Sequence, residues 1–240
     1  MSSSVTPPSA PPPSRAGIVT VVGKPNAGKS TLLNRVIGQK LSITSPKPQS
    51  TRDRIVGIHT DEATQMVILD TPGLLEARYA LQAAMRAVAL QALRDADVIL
   101  YLADATEGAP PPLTEAGRLD APPTAPVLLV LNKVDALDDA PRASLEATVR
   151  AVHPDAHFVS ATTGEGVDAL LAAARDHLPV SPFLYPEDEI STQTLRFFTS
   201  ELVRETALEK LEEEVPYSVA CGIEEFREER SPVYIRAVLY

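Results

Sequence analysis

Between residues 17 and 178 the chain alternates short β-branched apolar runs with longer segments in which apolar positions recur every three or four residues. This pattern predicts an α/β fold: a mostly parallel six-stranded sheet with helices on both faces. Strands are expected at 18–22, 55–60, 66–70, 98–103, 127–131 and 157–159. Helices are expected near 29–37, 79–94, 113–118, 142–152 and 167–177, the first ending at Gly38 in a left-handed cap. Such sheets bind ligands beyond the carboxyl ends of their strands, so the loops there are the place to look for chemistry. Residues 179–186 break the periodicity with three prolines and read as a linker. Beyond them Leu195, Phe198, Leu202, Leu208 and Leu211 recur at roughly helical spacing, followed by strands at 219–223 and 233–239, with Val233, Ile235, Ala237 and Leu239 on one face. One helix and two strands make a poor core, so the sequence reads as a C-terminally truncated fragment. Residues 1–16, rich in Ser, Pro and Ala, read as a disordered arm.

Composition narrows the class. The 240 residues are 44% hydrophobic, enough for a core, yet no apolar run approaches the ~18 to 20 residues that span a bilayer. The N-terminus lacks the basic start and apolar centre of a secretory signal, which makes the cytoplasm the expected compartment. A single cysteine excludes an internal disulfide framework, and Cys221, between Val219 and Ile223, reads as a small buried hydrophobe. The four histidines show no metal-ligand spacing with it. A net charge of -10 argues against a broad basic surface that coats nucleic acid. The acidity is concentrated from Pro186 onward, where 13 acidic residues face 6 basic ones.

Three motifs carry the chemistry. Gly23-Lys24-Pro25-Asn26-Ala27-Gly28-Lys29-Ser30 has the phosphate-loop spacing G-x-x-x-x-G-K-[ST], directly after a predicted strand and before a helix that continues with Thr31. Its backbone N–H groups would wrap the phosphates, Lys29 would pair with β- and γ-phosphate oxygens, and the Ser30 hydroxyl would meet Mg²⁺. Asp70-Thr71-Pro72-Gly73-Leu74 follows a buried run, so Asp70 would hold Mg²⁺ and the Gly73 N–H would sense the γ-phosphate. Asn132-Lys133-Val134-Asp135 closes another strand on the same edge. Its Asp135 carboxylate can take both hydrogens from guanine N1 and N2, a donor pair adenine lacks. Ser160-Ala161 after the last strand would set the Ala161 N–H against guanine O6. The expected ligands are GTP or GDP with Mg²⁺, and the expected reaction is GTP hydrolysis.

With these residues in view the chain resembles the Era GTPases, bacterial ribosome-assembly factors of the TrmE-Era class, over about residues 16–240. Leu41-Ser-Ile-Thr-Ser-Pro-Lys-Pro-Gln-Ser-Thr-Arg-Asp-Arg-Ile-Val-Gly-Ile58 is similar to the first switch of that family. Val215-Pro-Tyr-Ser-Val-Ala220, Ile223-Glu-Glu-Phe226 and Val233-Tyr-Ile-Arg236 are similar to the start of its RNA-binding domain. The resemblance implies a GTPase unit over 17–178, a linker over 179–186 and a partial type II KH-like α+β unit over 187–240, which lacks a Gly-x-x-Gly loop. It implies switch segments at 41–54 and 73–84, with Thr51, or one residue earlier Ser50, as the switch ligand to Mg²⁺. Leu74 stands where a water-orienting glutamine occurs in Ras-like proteins, which implies slow intrinsic hydrolysis. Asn26 matches the asparagine that holds K⁺ in potassium-stimulated relatives, which adds K⁺ as a cofactor. The implied partners are 16S rRNA and the 30S subunit, doubtful for this fragment alone, with peripheral membrane association and a monomeric state. Two other readings stay open: an RNA-binding assembly module in which hydrolysis only times release, and another GTPase of the class with a different C-terminal extension.

Overall fold

The computed structural model describes residues 13–240 except Pro48, Leu75, Glu213, Glu214 and Arg230. Residues 1–12 of the expected arm lie outside the described residues. The remainder of that arm is not free chain, because the first strand already begins at Arg15.

Six strands form one sheet: β1 (Arg15–Gly23), β2 (Ile55–Thr60), β3 (Thr64–Asp70), β4 (Val98–Asp104), β5 (Val127–Asn132) and β6 (His157–Val159). Their order is β2-β3-β1-β4-β5-β6, and only the β2–β3 pair is antiparallel. Alternation along β1 shows why a parallel strand reads as continuously apolar. Val19 and Val21 join the core beneath helices α1 (Lys29–Ile37) and α5 (Val167–His177), which includes Leu32, Leu33, Leu170 and Ala174. Val22 joins the opposite core with Ala89 and Leu93 of α2 (Ala80–Asp95). The short helix α3 (Leu113–Ala116) plugs that second core through Leu113, and α4 (Asp139–Arg150) covers the β5 side through Val149. Gly38 ends α1 in the left-handed region at φ 74°, with its N–H donating to Asn34 O at 3.0 Å.

The chain leaves β1 toward β3 on one side and β4 on the other, so β1 marks a topological switch point. The register brings the informative residues to one edge. Val21 pairs with Asp70, Gly23 with Leu102, Asp104 with Asn132, and Asn132 with Val159.

The connection after α5 is fastened to the sheet, and it runs to Thr194 rather than ending at residue 186. Buried Gln65 accepts from Leu184 N and Tyr185 N at 2.7 and 2.9 Å and donates to Tyr185 O at 2.9 Å. Ile58 N donates to Ile190 O, Ser191 Oγ to Val56 O, and Val56 N to the Gln193 side chain, so this segment covers the outer edge of β2. Then come α6 (Leu195–Lys210), a short helix α7 (Val215–Ser218) and an antiparallel pair, β7 (Cys221–Arg227) and β8 (Tyr234–Leu239). The expected strand 219–223 therefore begins later and extends further. Cys221, at its start, is half-buried rather than enclosed. On β8 Tyr234, Ile235 and Leu239 are exposed, as are Val233 before it and Tyr240 after it, so the expected apolar face is not covered among the described residues.

Candidate functional site

The phosphate-loop residues occupy the turn between β1 and α1. Gly28, at φ 96°, is where a side chain is excluded, because a Cβ there would lie 2.1 Å from Asn132 Nδ2. That amide instead donates to Ala27 O at 2.8 Å, while Asn132 Oδ1 accepts the Ala161 N–H at 2.9 Å. Asn132 thus ties the phosphate loop to the loop after β6. The Ala161 N–H expected to face guanine O6 is already engaged, so a base there would share the donor with Asn132.

Lys29 is buried and donates to the carbonyls of Lys24 (2.9 Å) and Gly23 (3.4 Å). Burial lowers its pKa to about 8 against the opposing pull of the Asp70 charge. Beside it three oxygens converge. Ser30 Oγ donates to Asp70 Oδ2 at 2.7 Å and lies 3.0 Å from Thr51 Oγ1, which donates to the same carboxylate oxygen at 3.4 Å. Burial pushes the Asp70 carboxyl up, opposed by Lys29, Ser30, Ser42 and Thr51, and Asp70 Oδ1 is enclosed without a hydrogen-bond partner. Two hydroxyls and a carboxylate with an oxygen to spare form the all-oxygen donor type that Mg²⁺ takes, so these residues fit the ion. The hydroxyl of Thr51, not that of Ser50, joins this group. Ser50 instead offers its carbonyl to Arg204 of α6.

A cleft of about 460 Å³ opens above the cluster, lined by Pro25, Asn26, Gly28–Thr31 of the phosphate loop and α1, residues 43–46 and 49–51, Gly73, Met85 and Lys133. Asp70, Thr71, Pro72 and Leu74 lie under it, with Thr71 Oγ1 donating to Val21 O at 2.8 Å. The Leu74 side chain is buried in the α2-side core with Val22 and Ile99, and its N–H donates to Gly23 O, so it faces away from the cleft. A Cβ on Gly73 would meet Pro25 N at 2.7 Å, which keeps that backbone close against the phosphate loop. Asn26 Nδ2 reaches across to the Pro46 carbonyl at 2.8 Å. Exposed Lys24 pairs with Glu107. The structure sets Asp135, Ser160 and Ala161 beyond the cleft on the same sheet edge. Asp135 is exposed in the turn Val134–Ala136, whose Val134 is buried, and Ser160 Oγ caps its own loop by accepting Thr163 N at 3.0 Å.

Two positions were missed by the sequence reading. Asp104 receives Lys133 Nζ at 2.6 Å and the N–H and hydroxyl of Thr106. Burial works against its charge, yet the hydrogen bonds of Lys133 and Thr106 hold its carboxyl below the usual range. Its signal was present, since it ends the apolar run of β4 as Asp70 and Asn132 end theirs. Asn34, one face of α1, has no such signal. It accepts Leu41 N and Ser42 N and donates to Ser42 O, pinning the root of the segment that leads to Thr51.

A family model described as "50S ribosome-binding GTPase" matches residues 18–133. The chain is 41% identical over 218 residues to GTPase Era of Geobacter metallireducens, covering 90% of this chain and 73% of that protein. It is 38% identical over 231 residues to GTPase Era of Pseudomonas fluorescens, covering 94% and 76%. Among solved structures it is similar to Aquifex aeolicus Era Y63A bound to GDP·AlF4⁻, with TM-score 0.84, 36% identity and coverage of 94% of this chain and 78% of that one. An Era complex with MgGDPNP and nucleotides 1506–1542 of 16S ribosomal RNA matches with TM-score 0.85 at the same identity and coverage.

Proposed function

The chain belongs to the Era family of GTPases, and from that membership we propose that it is a GTP-hydrolysing switch that acts with 16S ribosomal RNA in assembly of the small ribosomal subunit, in the cytoplasm. The convergence of Ser30, Thr51 and Asp70 beside buried Lys29 is the observation that carries the reading. Gly23 to Thr31 are assigned to the phosphates, Asp135 with Lys133, Val134, Ser160 and Ala161 to guanine, and Asp70 to Leu74 to the loop that faces the γ-phosphate. Residues 17–178 are assigned to the switch itself and the KH-like unit after the linker to RNA.

Mg²⁺, held by Ser30, Thr51 and Asp70, would neutralise charge on the β- and γ-phosphates. Around the substrate the chain's own groups do the rest. Lys29 exchanges two backbone carbonyls for phosphate oxygens, a partner that favours its charged form. Backbone N–H groups of the phosphate loop and of Gly73 face the charge that develops as water attacks the γ-phosphorus and the bond to the bridging oxygen breaks, releasing GDP. No side chain from position 74 orients that water, since Leu74 is committed to the core. The Asn26 amide oxygen, left over when its nitrogen bonds Pro46, is the atom assigned to K⁺. Equal single-turnover hydrolysis in matched KCl and NaCl would remove that assignment.

A fluorescent GDP analogue should bind the wild-type chain, bind Asp135→Asn much more weakly, and be displaced by GTP but not by ATP. Equal binding to both chains, or equal displacement by ATP, would overturn the nucleotide reading.

A further inference from the structure

Thr51, in the segment 41–54, sets its hydroxyl against the Ser30–Asp70 pair, and both of its neighbours are held by the C-terminal unit. Arg204 of α6 is a cation only 4% exposed. Its Nε and Nη2 meet the two carboxylate oxygens of Glu201, one turn earlier, at 2.8 and 2.6 Å. The same Nη2 donates to the carbonyl of Ser50. That carbonyl belongs to the planar peptide unit joining Ser50 to Thr51, so the guanidinium fixes the plane from which Thr51 projects. On the other side, Arg52 donates to Val219 O and Tyr217 O at 2.7 and 3.0 Å. Further back, Lys40 pairs with Glu205 at 2.7 Å.

A buried guanidinium is costly unless it is paired; Glu201 and the Ser50 carbonyl take Nε and Nη2 of this one, while its Nη1 is enclosed without a hydrogen-bond partner. If residues 50–52 moved away, Arg204 would lose its carbonyl partner while keeping Glu201 of its own helix. Arg204 therefore favours the arrangement in which Thr51 stands 3.0 Å from Ser30.

We propose that Arg204 is a positioning residue for Thr51 and thereby sets the preference of the site for a nucleoside triphosphate over the diphosphate. This rests on the nucleotide reading above, in which Thr51 attends to the γ-phosphate side while the phosphate loop and the base loop hold what both nucleotides share. A ligand gains from a preorganised segment only if it touches that segment, so weakening the Arg204 contact lowers the competent fraction for the triphosphate alone.

The experiment compares Mg²⁺-dependent affinities for GDP and for GDPNP in wild type, Arg204→Gln, Arg204→Lys and, as a control on the exposed side of α6, Glu209→Gln. Arg204→Gln is expected to weaken GDPNP about tenfold while GDP stays within about twofold, and Arg204→Lys, which keeps the charge but not the fork, to weaken GDPNP about threefold. In steady-state hydrolysis KM for GTP should rise in both variants more than kcat falls. Glu209→Gln should match wild type. Unchanged GDPNP-to-GDP ratios in Arg204→Lys, or equal losses of both nucleotides there, would overturn the proposal, and this variant decides the matter if Arg204→Gln does not fold. Failure of the wild type to bind either nucleotide would instead overturn the functional reading.

Discussion

At the scale of single residues the site is held by a few side chains that each serve two loops. Asn132 bonds the phosphate loop at Ala27 and the base loop at Ala161 from one amide, and the space it needs is the space Gly28 leaves. Gly28→Ala would set a Cβ 2.1 Å from Asn132 Nδ2 in a left-handed backbone, so something must move. The expected outcome is a loss of about 1–3 kcal/mol in urea unfolding together with at least about tenfold weaker binding of guanine nucleotide, because both loops lose their common anchor. Asp104 does the same for Lys133. Its carboxyl is held below the usual range, so its folded pKa lies under its unfolded one, and its contribution to stability is present above about pH 4 and lost as pH falls through the folded value. Unfolding measured across a pH series should show wild type above Asp104→Asn at neutral pH, with the gap closing in acid. A gap that stays constant would mean that the Lys133 and Thr106 bonds do not act through charge.

At the scale of elements, what was legible in the sequence follows from what stabilises each piece. The central strands declare themselves because a parallel sheet buries both faces, leaving runs such as Val-Ile-Leu-Tyr-Leu-Ala in β4 with no polar interruption. The motif loops declare themselves because such runs end abruptly in Gly23, Asp70 and Asn132. β7 was misplaced for the opposite reason. Its second half, Glu-Glu-Phe-Arg, is held by ion pairs across the hairpin, Arg236 with Glu224 at 2.9 Å and with Glu225 at 3.5 Å, and hydropathy does not register these. The docking of α6 was equally hidden, since Lys47, Arg52 and Arg204 look like ordinary surface charges until the fold brings them to backbone carbonyls. Lys47 shows the consequence. Its ammonium donates to the carbonyls of Leu208 and Leu211 at 2.6 Å each, closing the C-terminal end of α6 where a cation is favoured. Lys47→Ala should speed amide hydrogen exchange in the last turn of α6 and cost about 0.3–1 kcal/mol, with the amides of α5 unaffected. Faster exchange in α5 as well would mean that Lys47 supports the whole molecule rather than this helix end.

At the scale of the whole molecule the same contacts make the C-terminal helix part of the nucleotide site's energetics. Any ligand bound only by the folded chain raises its stability by mass action, about 2.7 kcal/mol at a hundred times its dissociation constant. GDP and GDPNP at that saturation should therefore raise the free energy of global unfolding equally, whatever they touch. Their local effects should differ. Both would protect the phosphate loop and α1, whereas on the proposed reading only the triphosphate analogue would engage Thr51, whose neighbours are bonded through Arg204 to α6 and through Arg52 to Tyr217 of α7 and to Val219 just after it. Hydrogen exchange with each nucleotide at a hundred times its own dissociation constant should show slower exchange across 195–210 with GDPNP than with GDP, and matching protection across 23–37. The coupling is reciprocal, so an RNA that favours the docked C-terminal unit should tighten GDPNP by the factor that GDPNP tightens the RNA, and leave GDP affinity unchanged. Identical protection of α6 by the two nucleotides would show that the contacts between 40–52 and α6 persist through the nucleotide cycle and carry no signal.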